Sequence, residues 1–220
     1  CFGFDEKPRL VHRLDKETSG ILLLARNRLA AQRLTSSFRN KTTRKIYWAA
    51  VAGNPSPRAG TIKFGLRRGF SKSQKESSER MECVHPNEVH RIDGAKHAVT
   101  DYGVINYMAK RAAWVVMSPI TGRTHQLRAH MAGIGHPIIG DFKYGRNNQG
   151  NLGDGWGVTL GDGVRKGLHL HARHLKFVHP YTGKEISFTA PLPGHMQETW
   201  RAFQWHLEKV PDDPFEQNFF

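Results

Sequence analysis

The sequence predicts an α+β fold: a mixed, largely antiparallel sheet with flanking helices. Strand-like segments outnumber helical ones, strand–helix–strand alternations are few, and no internal repeat is visible. That pattern favours a mixed sheet over a doubly wound one. At 220 residues the chain can bury a substantial core, as one domain or two small ones.

The elements follow in order. Residues 10–27 read LVHRLDKETSGILLLARN, with Arg13 and Lys16 flanking Asp15. Thr18-Ser19-Gly20 suggests a tight turn, and residues 21–25 have the length and content of a buried strand. Residues 29–40 predict a helix, because Ala30, Leu34 and Phe38 form one apolar stripe while Arg28, Arg33 and Arg39 lie elsewhere on its surface. Residues 46–53 alternate as a strand, with Tyr47, Ala49 and Val51 on one face and Ile46, Trp48 and Ala50 on the other. Asn54-Pro55-Ser56-Pro57 is a turn.

From about residue 65 to 96 the chain is polar and charged, and reads as a long basic insertion ordered by a partner. Strands resume at 99–107 and 113–117. Thr124 is placed to cap a helix ending near Gly133, with Arg123 at its mouth, Arg128 one turn inside, and Leu127 and Met131 facing the core. Residues 145–167 hold eight glycines among 23 residues and predict a surface loop without a phosphate-loop pattern. Two strands, 169–178 and 185–190, and a short helix around 196–207 close the fold.

Charge narrows the partners. There are 33 Lys and Arg against 19 Asp and Glu, a formal balance of +14 with a pI near 10.1. A polyanion, nucleic acid first, is the natural counterpart. A membrane role is disfavoured: no apolar run approaches about 18 residues, and no long basic amphipathic helix is present. Two cysteines, Cys1 and Cys83, make no disulfide framework and suit a reducing compartment.

Asp15 by itself is a turn acid. Two cations within two residues of it would favour its ionised form if they are close in space. The sequence has no H-E-x-x-H, no paired cysteines and no nucleophile-elbow serine to compete with it. His169, His171 and His174 invite a zinc reading, but no nearby Cys or acid completes a ligand set, so no metal is expected.

Four stretches resemble the RluA family of RNA pseudouridine synthases. HRLDKETSG is similar to its H-R-L-D-x-x-T-S-G signature, and RKIYWAAVAG to the strand carrying its active-site tyrosine. PITGRTHQLRAHMAGIGHPIIGDFKYG is similar to its arginine-bearing motif, and LHLHARHLKFVHPYTGKEISFTAPLP to its terminal segment. The resemblance implies isomerisation of a uridine in structured RNA, large-subunit ribosomal RNA first and transfer RNA second, with no cofactor.

It implies roles for Asp15 as catalytic aspartate, Tyr47 as active-site tyrosine and Arg128 as the arginine that pairs with the aspartate. Arg13 would enter the RNA stack as the base flips. Further RNA contacts are expected from Lys16, Arg28, Arg39, Arg67, Arg68, Arg123 and His125.

The expected organisation is a catalytic domain at 1–207, lacking an N-terminal part, with a tail at 208–220. Pre-ribosomal particle proteins are possible partners, and the mitochondrial matrix is favoured over a bacterial cytoplasm. The competing reading is a catalytically weak or silent RNA-binding ribosome assembly factor on the same scaffold.

Overall fold

The computed structural model describes residues 6–69, 80–145, 167–217 and 219–220. In chain order the elements are β1 (Arg9–Leu10), β2 (Ser19–Gly20), β3 (Leu24–Ala25), α1 (Arg28–Arg39), β4 (Arg44–Ala52), β5 (Ala59–Arg68), β6 (Met81–Val84), β7 (Lys96–Met108), β8 (Ala112–Pro119), α2 (Gln126–Gly133), β9 (Leu170–Val178), β10 (Glu185–Thr189) and α3 (Gly194–Ala202). One sheet runs β10-β9-β4-β8-β7-β5-β6 with antiparallel neighbours, and β2 joins β9 in parallel. β1 and β3 form a separate two-stranded pair. The expected α+β class is what the chain adopts.

β4 lies inside the sheet, and its alternation sorts two layers. Ile46, Trp48 and Ala50 pack with Trp114, Met196, Trp200 and Trp205 beneath α3. Ala49 and Val51 pack with Val115 and Met117 of β8 and with Leu127 and Met131 of α2. A strand covered on both faces must be apolar on both, and all but the ends and Tyr47 of β4 is buried. A bulge against β9 falls between Ile46 and Tyr47.

Several expectations change. Residues 21–25 are not a buried strand: Leu22 and Leu24 are about half exposed, and strand geometry returns only at β3. The parallel pairing with β9 ends at Gly20, so the run crosses the fold's edge and buries alternate side chains against α1. Gly20 itself is required, at φ +108 with Ala172 O 2.2 Å from where a Cβ would sit.

Part of the basic insertion is sheet. Gly65 to Arg68 pair with Met81 to Val84, and Leu66, Val84 and Val89 are buried beneath the charge that hid them in the sequence. Its centre, 70–79, lies outside the described residues, as does most of the glycine-rich segment at 145–167.

The last helix is shorter than expected. It ends at Ala202, and Trp205 turns back to stack edge-on against Trp200 at 5.0 Å. Residue 207 does not mark an edge of packing either: Asp213 is buried against Arg44, and Phe220 packs over Gly103. No helix among the described residues is long and apolar enough to cross a membrane.

Candidate active site

A groove of about 710 Å³ opens along the edge between the loop at 11–18, α1 and the segment preceding α2. Asp15 and Tyr47 line it. The loop carrying Asp15 is closed by a Thr18 N–H to Asp15 O bond of 2.9 Å and anchored by Ser19, whose hydroxyl lies 2.9 Å from His171 Nδ1. β4 carries Tyr47 to the same place from the centre of the sheet. Burial, with Asp15's negative field second, pushes the Tyr47 phenol up to about 12. The hydroxyl is therefore un-ionised at neutral pH.

Arg128 arrives on α2, almost wholly buried, with a partner that differs from the expected one. Its Nε and Nη2 donate to the two carboxylate oxygens of Asp141 at 2.7 and 2.8 Å. Asp15 acts on it through the electrostatic field alone. Burial works against the Arg128 charge, but the bonds and attraction of Asp141, with Asp15 adding, outweigh it and raise its pKa. Asp141 also accepts from the backbone N–H groups of Lys143 and Tyr144, at 3.0 and 3.1 Å, so its own acceptors are satisfied. The Tyr144 ring lies 5.3 Å below the guanidinium carbon, and its hydroxyl takes the Met81 N–H at 2.7 Å. Asp141 and Tyr144 stand in the motif stretch GDFKYG, but nothing in their spacing announced a clamp on Arg128.

The start of α2 also departs from expectation. Thr124 does not cap it; His125 is the cap residue, in left-handed backbone at φ 50, with no side-chain cap bond. Gln126 instead ties the turn before the helix, its Oε1 accepting from the Arg123 N–H at 3.1 Å.

The expected RNA contacts divide. Arg13, Arg39 and Arg123 line the groove. Arg13 is exposed, with Nη2 3.4 Å from the Thr124 hydroxyl. Arg28 lines an adjoining cleft with Arg9 and Arg39. Lys16 is exposed outside the groove lining.

His125 is a correction: it is buried, with Nδ1 3.1 Å from the Tyr144 hydroxyl, because its left-handed backbone before α2 turns it inward. Arg67 sits near the far end of the sheet and is bound to Glu82 at 2.9 Å, with Arg68 beside it on the same strand, and neither lines the groove. The three histidines of the zinc reading go to separate partners: His169 to Thr199, His171 to Ser19, His174 to Thr189. Groove residues not anticipated include His12, Lys41, Thr43, Arg44 and Lys45.

Known proteins resemble this chain. A family model described as RNA pseudouridylate synthase matches residues 3–133, more than half of the chain. The mitochondrial RNA pseudouridine synthase 3 of Oryza sativa subsp. japonica is 33% identical, over 94% of this chain and 54% of its own. The ribosomal large subunit pseudouridine synthase C of Vibrio cholerae is 36% identical, over 86% and 53%. The chain thus spans about half the length of these relatives. The solved structure of human RNA Pseudouridylate Synthase Domain Containing 4 superposes with a TM-score of 0.67 at 29% identity, covering 90% of this chain and 77% of that one.

Proposed function

The chain belongs to the RNA pseudouridylate synthase family, and we propose that it converts a specific uridine to pseudouridine in structured RNA. The observation that carries this reading is the convergence of three distant segments. Asp15 from a loop and Tyr47 from the central strand share one groove, and Asp15's field reaches Arg128 on α2.

In the proposed reaction the N1–C1′ bond breaks, the uracil rotates, and a C5–C1′ bond forms. The proton leaving C5 is balanced by one gained at N1, so atoms are conserved and no cofactor is called for. Asp15 is the nucleophile, at C1′ or on the pyrimidine ring, or it assists loss of the C2′ proton. The Arg128 guanidinium, which Asp141 holds in place, offers the fixed positive charge that feels Asp15's field. Tyr47 stacks beneath the uracil and moves a proton through its un-ionised hydroxyl. Arg13, exposed at the rim, fills the space the flipped base leaves, and Arg39 and Arg123 meet phosphates.

The Vibrio relative, named for the large ribosomal subunit, supports ribosomal RNA as substrate, with transfer RNA second. The rice relative supports the mitochondrial matrix as the compartment.

The test maps pseudouridine in ribosomal and transfer RNA from cells carrying wild type, Asp15→Asn or neither. The expected result is one uridine modified only with wild type, with turnover of Asp15→Asn down at least about a thousandfold and RNA affinity nearly unchanged. If no site depends on Asp15 while ribosome assembly still needs the protein, the scaffold is an RNA-binding platform and the catalytic reading falls.

A further inference from the structure

The groove contains a second cluster that the reaction above does not use. Lys45 lies two residues before Tyr47 on β4, so both side chains point to the groove side of the strand. Lys45 is largely withdrawn from water, and among the described residues no carboxylate, carbonyl or hydroxyl bonds its ammonium; burial is the cause of its lowered pKa. A cation in that position is costly unless something anionic comes to it.

Its neighbours are donors as well. Leu23 N–H donates to His12 Nε2 at 2.8 Å, so in the neutral ring the proton sits on Nδ1. Burial, and then the Lys45 charge, holds that imidazole neutral by pushing it down to about 4. Thr43, two residues before Lys45, keeps a buried hydroxyl with no hydrogen-bond partner among the described residues. All three residues line the groove with Asp15.

We propose that His12, Thr43 and Lys45 form an anion subsite beside Asp15 that holds one phosphodiester of the RNA strand at the target uridine. The assignment rests on the reading that this groove takes RNA. An imidazole N–H, a hydroxyl and an ammonium match the acceptor-only oxygens of a phosphate. A uracil carbonyl would accept one of these donors and leave the charge unmatched. Bound phosphate would also explain why a lysine is kept where an apolar residue would be more stable. The subsite would place the sugar so that C1′ lies over the carboxylate, a positioning role for Lys45 and a binding role for Thr43 and His12.

The test compares binding of uridine, uridine 3′,5′-bisphosphate and inorganic phosphate by calorimetry, on the full chain and on Lys45→Met, Lys45→Arg and Thr43→Val. Wild type is expected to prefer the bisphosphate to uridine at least about tenfold. Lys45→Met should erase that preference while binding uridine as before, Lys45→Arg should keep most of it, and Thr43→Val should lower it about threefold. Thermal melting of Lys45→Met should match or exceed wild type, separating lost binding from lost folding.

A preference unchanged in Lys45→Met, or absent in wild type, overturns the subsite. Inorganic phosphate binding as tightly as the bisphosphate would assign the cluster to free anions and overturn the RNA assignment. Pseudouridine mapping separates the two readings. Turnover by Lys45→Met at unchanged KM removes the subsite and leaves the enzyme. A Lys45-dependent bisphosphate preference in a chain that modifies no RNA removes the enzyme and leaves the subsite.

Discussion

The two faces of β4 are built on different terms. Toward α3, Trp48 meets Trp114 at 4.8 Å, and Trp114 meets Trp200 at 5.5 Å, a layer of large apolar side chains. Toward α2, Ala49 and Val51 share their layer with a helix that buries Arg128 and His130. The first face gains from apolar area removed from water. The second gives up part of that gain to hold a charge and an imidazole in a low-dielectric surround. Arg128 is tolerated there because Asp141 meets it in full. Among the described residues His130 has no hydrogen-bond partner at either ring nitrogen, and its ring lies edge-on to Phe64 at 5.8 Å. One face stabilises the domain; the other carries the proposed site.

The sharpest way to break that comparison is to damage each face once. Asp141→Ala strands a buried guanidinium and should lower stability by about 3–5 kcal/mol while removing pseudouridine formation. Trp200→Ala should lower stability by a similar ~3–5 kcal/mol, yet leave kcat/KM of the folded fraction near wild type. Urea unfolding with a parallel turnover assay reads both. Equal losses of turnover in the two variants would show that the faces are not separate.

A smaller effect lies in the pH response. Burial holds His130 down at about 4, so between that value and 6.5 the unfolded chain binds the proton that the folded chain refuses. Stability should therefore be full above about pH 6.5 and fall as pH drops toward 4. His130→Leu removes this group, and should shrink the loss between pH 7 and 5 by about 1–2 kcal/mol without reducing stability at pH 7. An unchanged acid slope would mean that His130 is protonated within the fold.

The smallest effect concerns surface charge. Arg13→Gln, at the groove, should lower the slope of log K against log salt by about one. Arg67→Gln, already bound to Glu82 at 2.9 Å, should leave the slope unchanged. Equal slopes for both would extend the RNA track to the far end of the sheet.

Legibility followed the range of the interaction. The stripe of Ala30, Leu34 and Phe38 gave α1 to within a residue, because helical periodicity is local. The alternation of β4 gave both of its faces correctly. The run at 21–25 misled because hydrophobicity reports content, whereas exposure depends on what lies opposite, and Leu22 and Leu24 are left half exposed. The stretch at 65–96 misled in the other direction, its charges concealing the strand pairing that ends with β6. His125 looked like an RNA contact from its neighbours, yet one left-handed residue sends it to Tyr144.

By itself, the sequence determined the class of fold, the strongly basic charge and the family motifs, because motifs, charge and short periodicities are properties of neighbouring residues. The tertiary structure alone decided that Arg128 belongs to Asp141 across 13 positions, that Arg44 is held by Asp213 across 169, and that Lys45 stands in the groove with no carboxylate bonded to it among the described residues. Which charge meets which is settled when separate elements pack together, and desolvation then sets how strongly each pair is held.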